Sequence, residues 1–198
     1  MALSWAWWLL FAHPTVAHRV AAEATAVLRD PSYDDGLRPA TIDDIAALPF
    51  THAVTAETIR LYPPAWIMGR RTLTDMRLGD WDVPSGSIVL GSPWIMHRDP
   101  DLWPRATSFH PDRWLDADGA YDESAPGQRR GAYIPFGFGN RRCIGEQFAW
   151  AEAILLLATL AARWEARLVP GSPVDTQAAV TLRPMHGLPM TLHRRPAP

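Results

Sequence analysis

Cysteine is almost absent from this sequence. Cys143 is the single one in 198 residues. One thiol excludes an intrachain disulfide and any zinc site built from several cysteines, and it suits a reducing cytoplasm. An excess of charge of one sign is lacking too. Nineteen Lys and Arg stand against 21 Asp and Glu, a formal net charge of −2, so nothing electrostatic points to nucleic acid or an anionic membrane as partner. There is no long hydrophobic run either. The most apolar stretch, residues 2–12 (ALSWAWWLLFA), is interrupted only by Ser4 and is too short to span a bilayer. It has no basic segment before it and no small-residue cleavage site after it, which argues against a signal peptide. A buried helix is expected there, and its abrupt start suggests an upstream part of the protein.

What is present is the material for one core of fair size, with 47% hydrophobic residues, and many short connections, with 19 scattered prolines. A helix is expected from Ser4 to about His13, broken at Pro14. A second, from Pro14 to Leu28, starts on a favoured N-terminal proline and stops at Asp30-Pro31. Thr41, followed by Asp43 and Asp44, resembles a helix start leading into a short turn that ends at Pro49. A further helix is expected from about Phe50 to Leu61, closed by Pro63-Pro64. From Ala65 to Leu90, short β-like runs separated by Gly, Asp and Pro predict a small sheet of hairpins. Leu102 to Gly131 is irregular. Gly145 to Trp164 predicts a long helix, apolar nearly all round and therefore buried in a larger body. Two more β-like runs, Ala178 to Leu182 and Leu188 to Leu192, flank a turn at Pro184 to Gly187. The fold class is mainly α with a small β portion, in one domain's worth of chain spanning 1–198.

The informative stretch is Tyr133 to Ala149, Y-I-P-F-G-F-G-N-R-R-C-I-G-E-Q-F-A. A lone cysteine is usually a small buried hydrophobe. Here Gly137 and Gly139 permit a tight backbone excursion just before it, Arg141 and Arg142 place positive charge beside it, and Gly145 opens the long helix. Helix-end N–H groups and nearby cations both favour thiolate over thiol. Such a thiolate can be a nucleophile or a metal ligand.

This segment resembles the haem-binding loop of cytochromes P-450, F-x-x-G-x-R-x-C-x-G. Phe136, Gly139, Arg141, Cys143 and Gly145 fill every defined place. By that resemblance Cys143 is the axial ligand of the iron of haem b (iron protoporphyrin IX), and Phe136 packs against the sulfur side of the porphyrin. Arg141 would reach a propionate, while Gly139 and Gly145 let the chain pass close to the ring. A thiolate donates electron density to iron and favours O–O cleavage. Other segments resemble the same family in the same order. E-T-I-R at Glu57 to Arg60, followed by L-Y-P-P, matches its E-x-x-R signature, and F-H-P-D-R-W at Phe109 to Trp114 matches F-x-P-x-R-[WF]. The resemblance implies a buried ion-pair set of Glu57, Arg60 and Arg113. It puts Arg70, or its neighbour Arg71, at a propionate-binding position, and it makes His97-Arg98-Asp99-Pro100 a recurrent string, with His97 a structural hydrogen-bonder rather than a ligand. Ala65, Trp66, Ile67, Val180 and Thr181 fall where the family lines its substrate pocket.

A complete member has roughly twice this length, and the resemblance therefore makes this chain the C-terminal, proximal portion of the cytochrome P-450 fold. The A-G-x-[DE]-T motif of the distal helix is not found, and Leu3-Ser4-Trp5-Ala6 resembles the stretch just after it, so that motif is expected upstream of Met1. The implied activity is monooxygenation. O2 and two electrons from a ferredoxin, flavodoxin or reductase are consumed, one oxygen atom entering a small apolar substrate and the other leaving as water. Arg129, Arg130 and Arg142 would form a basic patch for the electron donor, the alternative for Arg129 and Arg130 being a solvated charged loop. Two other readings stand beside it. One is a non-catalytic fragment that binds haem weakly or not at all. The other is a cysteine-nucleophile hydrolase using one of the seven histidines, which leaves the E-x-x-R and F-x-P-x-R elements unexplained.

Overall fold

The computed structural model describes residues 1–124 and 131–196. Four helices build its body: α1 (Ala2–Ala12), α2 (Pro14–Leu28), α3 (Pro49–Leu61) and α5 (Glu146–Ala161); α4 (Pro93–Met96) is a single turn. Proline starts α2 and α3, where its missing N–H and fixed φ cost nothing. Between α2 and α3, a 3₁₀ turn at Ile42–Ala47 begins with a capping box, in which Thr41 and Asp44 satisfy each other's backbone N–H groups.

Helix α3 is the axis of the body. Every residue from Ala53 to Leu61 is buried, and one core cluster joins its Phe50 and Val54 to Ala6 and Leu10 of α1, Val20 of α2 and Leu157 of α5. A helix buried all round must satisfy its polar groups internally. Thr55 and Thr58 donate to the carbonyls of Thr51 and Val54, one turn back, at 2.9 and 2.8 Å. Glu23 of α2 accepts the N–H groups of Phe50 and Thr51, each at 2.8 Å. A carboxylate thus closes the N-terminus of α3, where the helix dipole favours it. A second cluster, Ala53, Ala56, Ile59, Trp103, Trp114 and Trp150 among its members, lies on the side facing the irregular segment.

Among the described residues the β portion is four separate antiparallel pairs. β1 (Met68–Arg71) pairs with β4 (Ile88–Gly91), enclosing the hairpin of β2 (Met76–Leu78) and β3 (Trp81–Val83). β5 (Trp164–Leu168) pairs with β8 (Met190–Arg194), and β6 (Thr176–Ala178) with β7 (Leu182–Pro184).

Three expectations are corrected here. The C-terminal long helix stops at Ala161, and Trp164 opens β5 instead. The run expected as a strand at Ala178 to Leu182 is a turn tip, with Val180 fully exposed between β6 and β7. The last run pairs with β5, across 22 residues or more, rather than with the preceding hairpin. α5 is also less enclosed than its composition suggests: Phe148, Leu156 and Leu160 face solvent while Trp150, Ile154 and Leu157 are buried. No helix among the described residues is long and apolar enough to cross a membrane.

Candidate functional site

Cys143 lies two residues before Gly145, the N-cap of α5. The loop that carries it is shaped by glycines at positive φ, Gly137 at 81° and Gly139 at 67°, a region costly for residues with a Cβ. Ile134 O accepts the N–H of Gly137 at 3.1 Å, and Phe136 O accepts the N–H of Cys143 at 2.9 Å. The sulfur is exposed.

It faces a cleft of about 530 Å³. Phe136, Gly137, Arg141 and Cys143 form one wall, Ala149, Glu152 and Ala153 of α5 another, and Ile59, Pro64, Ala65 and Met68 a third. Val180 and Thr181 close it from the β6–β7 turn, and residues 1–3 from α1. The volume is that of an ordinary small-molecule site.

Of the residues singled out in the sequence, Cys143, Phe136, Arg141, Ala65, Val180 and Thr181 meet at this cleft. Gly139 and Gly145 do not line it but shape the loop beside it. A Cβ built on Gly145 would lie 3.8 Å from the Cys143 sulfur. The cleft lining does not include Arg70, Trp66 or Ile67. Arg70 is exposed on β1 and donates to the carbonyl of Gly69 at 2.8 Å, Trp66 Nε1 donates to Ala179 O at 2.8 Å, and Ile67 is exposed. Arg71 donates to Gly86 O at 3.3 Å. Arg142 forms a two-pronged ion pair with Glu146, one turn on, so its charge is compensated locally. Arg129 and Arg130 lie outside the described residues.

These glycines give a contrasting expectation. Gly137→Ala forces a side chain into positive φ and should cost about 1–2 kcal/mol in chemical denaturation. Gly145 has φ −86° and no such strain, so Gly145→Ala should cost only what alanine loses to glycine at an N-cap, about 0.5–1 kcal/mol. The added methyl should instead slow modification of Cys143 by a bulky thiol reagent.

Behind the cleft, α3 presents Glu57 and Arg60, both fully buried. One carboxylate gathers Arg60 Nε at 2.8 Å and Nη2 at 2.9 Å, Arg113 Nε at 3.1 Å, Trp114 Nε1 at 2.9 Å and the backbone N–H of His110 at 2.9 Å. Arg60 also donates to the carbonyls of His97, Ala106 and Ser108, and Arg113 to those of Pro104 and Arg105. The two guanidiniums thereby tie 97–114, a stretch with little regular structure, onto α3. Burial lowers Arg113 from its ordinary value against the opposing pull of Glu57. Sequence reasoning did not find Trp114, His110 and Ala106 as partners. The aromatic after Arg113 was a visible element of the motif, but nothing in it signals a donor aimed at Glu57.

His97, fully buried, accepts the N–H of Ile134 on its Nε2 at 3.0 Å. Burial, with the charge of Arg60 adding to it, lowers the ring to about 3, so it is neutral at ordinary pH.

Among the described residues no three His, Cys, Asp or Glu side chains gather as metal ligands. The donor set is a single thiol on an apolar cleft with an arginine beside it. That suits a metal carried in a macrocycle, which requires one axial donor from the protein.

Comparison with known proteins places the chain more closely. The cytochrome P-450 family model matches residues 1–188, and the chain belongs to that family. It is 41% identical over 190 residues to cyclooctatin synthase of Streptomyces melanosporofaciens, covering 95% of this chain and 39% of that protein. It is 35% identical over 180 residues to pentalenene oxygenase of Streptomyces avermitilis, covering 91% and 37%. A crystal structure of a cytochrome P-450 (CYP102L1) superposes with a TM-score of 0.81 at 27% identity, covering 98% of this chain and 42% of that one. The chain therefore spans about two fifths of the length of these relatives.

Proposed function

We propose that this chain is the C-terminal, haem-thiolate portion of a monooxygenase that inserts one atom of O2 into a small apolar substrate. The observation that carries the reading is the convergence of Cys143, Phe136 and Arg141 on one largely apolar cleft. In it, Cys143 would hold the haem iron through its thiolate, and the Phe136 ring would pack against the macrocycle. Arg141 neutralises a propionate, with Arg70 a second candidate through rotation of its exposed side chain. Gly139 and Gly145 keep Cβ atoms away from the ring and the sulfur. Haem, when bound, supplies the activation of O2, and thiolate ligation favours O–O cleavage.

Ala65, Val180 and Thr181 line the same cleft and would contact a substrate there, with Trp66 and Ile67 adjacent in sequence. Apolar walls select apolar substrates by burial. Two relatives point the same way: pentalenene oxygenase, and cyclooctat-9-en-7-ol 5-monooxygenase of Streptomyces melanosporofaciens, 39% identical over 170 residues. Both names denote mainly hydrocarbon skeletons. Electrons would come from a ferredoxin, flavodoxin or reductase. The single cysteine fits a cytoplasmic setting.

Titration of the protein with haemin, followed by reduction and carbon monoxide, tests the reading. A long-wavelength Soret band of thiolate-ligated haem at one equivalent supports it. A haem bound without that band, or no binding at all, overturns it and favours the non-catalytic alternative.

A further inference from the structure

His97 is the buried group that the proposed function leaves without a task. Its surroundings connect two parts of the molecule otherwise described separately. On one side, its backbone carbonyl accepts Arg60 Nη1, the guanidinium held by Glu57. On the other, its ring Nε2 accepts the N–H of Ile134 at 3.0 Å. Ile134 begins the cysteine loop. Its carbonyl accepts Gly137 N–H, and the carbonyl of Phe136 accepts Cys143 N–H. Hydrogen bonds and the covalent links between them thus run from the α3 ion pair through His97 to the backbone N–H of Cys143. The residue before Ile134 is tied to the same helix turn, since Tyr133 Oη donates to Ala56 O at 3.1 Å.

Only an acceptor at the Nε2 position can do this. The backbone N–H of Ile134 is a donor and needs a lone pair opposite it. The neutral ring then carries its proton on Nδ1, which has no hydrogen-bond partner among the described residues. A buried donor left unsatisfied is costly. Packing alone would be served better by a phenyl ring, so the imidazole's retained feature is the Nε2 lone pair.

We infer that His97 is a positioning residue for the Cys143 loop, transmitting the geometry of the Glu57–Arg60 pair to Phe136 and the thiol through its bond to Ile134. The inference rests on the haem-thiolate reading for its purpose, but its geometry can be tested without haem.

Side-chain length separates this role from simple packing. In Gln the amide oxygen is as many bonds from Cβ as Nε2 is in His, so His97→Gln can restore the acceptor. Asn is one bond shorter and cannot reach Ile134, and Phe fills the space with no acceptor. The measurement is amide hydrogen exchange at Ile134 in the haem-free protein, compared at matched unfolding free energy, with the rate of Cys143 modification by a thiol reagent alongside. His97→Asn and His97→Phe should each speed Ile134 exchange about ten-fold, the scale of one lost hydrogen bond, and change the Cys143 rate. His97→Gln should stay close to the parent in both. Equal behaviour of Gln and Asn, or exchange that merely follows global stability, overturns the inference. If haem titration of the parent gives no thiolate band while Ile134 and Cys143 respond as expected, the functional reading fails and the positioning role stands.

Discussion

Replacing Glu57 by alanine should destabilise the protein by about 3–5 kcal/mol, the range found when one partner of a buried ion pair is removed. The substitution strands more than one charge. Arg60 is fully buried and keeps only backbone carbonyls, Arg113 loses its carboxylate, and Trp114 Nε1 and the N–H of His110 lose their acceptor. For a chain of this size the loss corresponds to a fall in unfolding temperature of about 6–20 °C. Against a typical total of about 5–15 kcal/mol, that is from about a fifth of the margin to all of it. Glu57→Gln, which keeps one acceptor oxygen and gives up the charge, should lie between. Arg60→Lys should be nearly as damaging as the alanine variant, because an ammonium cannot reproduce a planar fork spread over Glu57, His97, Ala106 and Ser108. Calorimetry or denaturant titration reads these directly. A loss below about 1 kcal/mol, typical of a surface pair, would contradict the buried network.

Cys143→Ser should behave in the opposite way. The residue is exposed, and its tie to Phe136 O is a backbone bond that serine keeps. Stability should therefore change by no more than about 0.5 kcal/mol. The haem-thiolate signature should vanish altogether, because an un-ionised hydroxyl is a poor replacement for a soft thiolate. Together the two substitutions separate scaffold from chemistry. Glu57 does not line the cleft and holds up the fold, whereas Cys143 contributes little to the fold and, under the proposed function, would carry the chemistry.

The sequence made some of this plain and hid the rest for physical reasons. Local signals were legible. Pro14 and Asp30-Pro31 bracket α2 at Pro14–Leu28, and the Thr41–Asp44 pair caps the turn that follows. The cysteine loop was legible because its glycines and arginines sit within ten residues. Features set by distant partners were not. Trp164–Leu168 alternates as a strand, but it follows the apolar helix with no Pro or Gly between, and only its pairing with Met190–Arg194 shows that the helix has ended. Arg163 marks that end, bonding back to Asp35 and to Leu37 O, 126 residues or more away. The β6–β7 turn was misplaced because V-T-L reads as strand by composition, while register depends on the pairing of Thr176–Ala178 with Leu182–Pro184. His97 was visible as part of a recurrent string. Its bond to Ile134 spans 37 residues and has no local signature.

The most direct test is to ask what atom the iron is bound to. Iron K-edge X-ray absorption on the haem-loaded protein and on its Cys143→Ser variant distinguishes sulfur from lighter neighbours. One sulfur bound to iron in the parent and none in the variant is the predicted result. The same spectrum from both proteins, or a parent iron bound only by nitrogen and oxygen, would contradict Cys143 as the axial ligand.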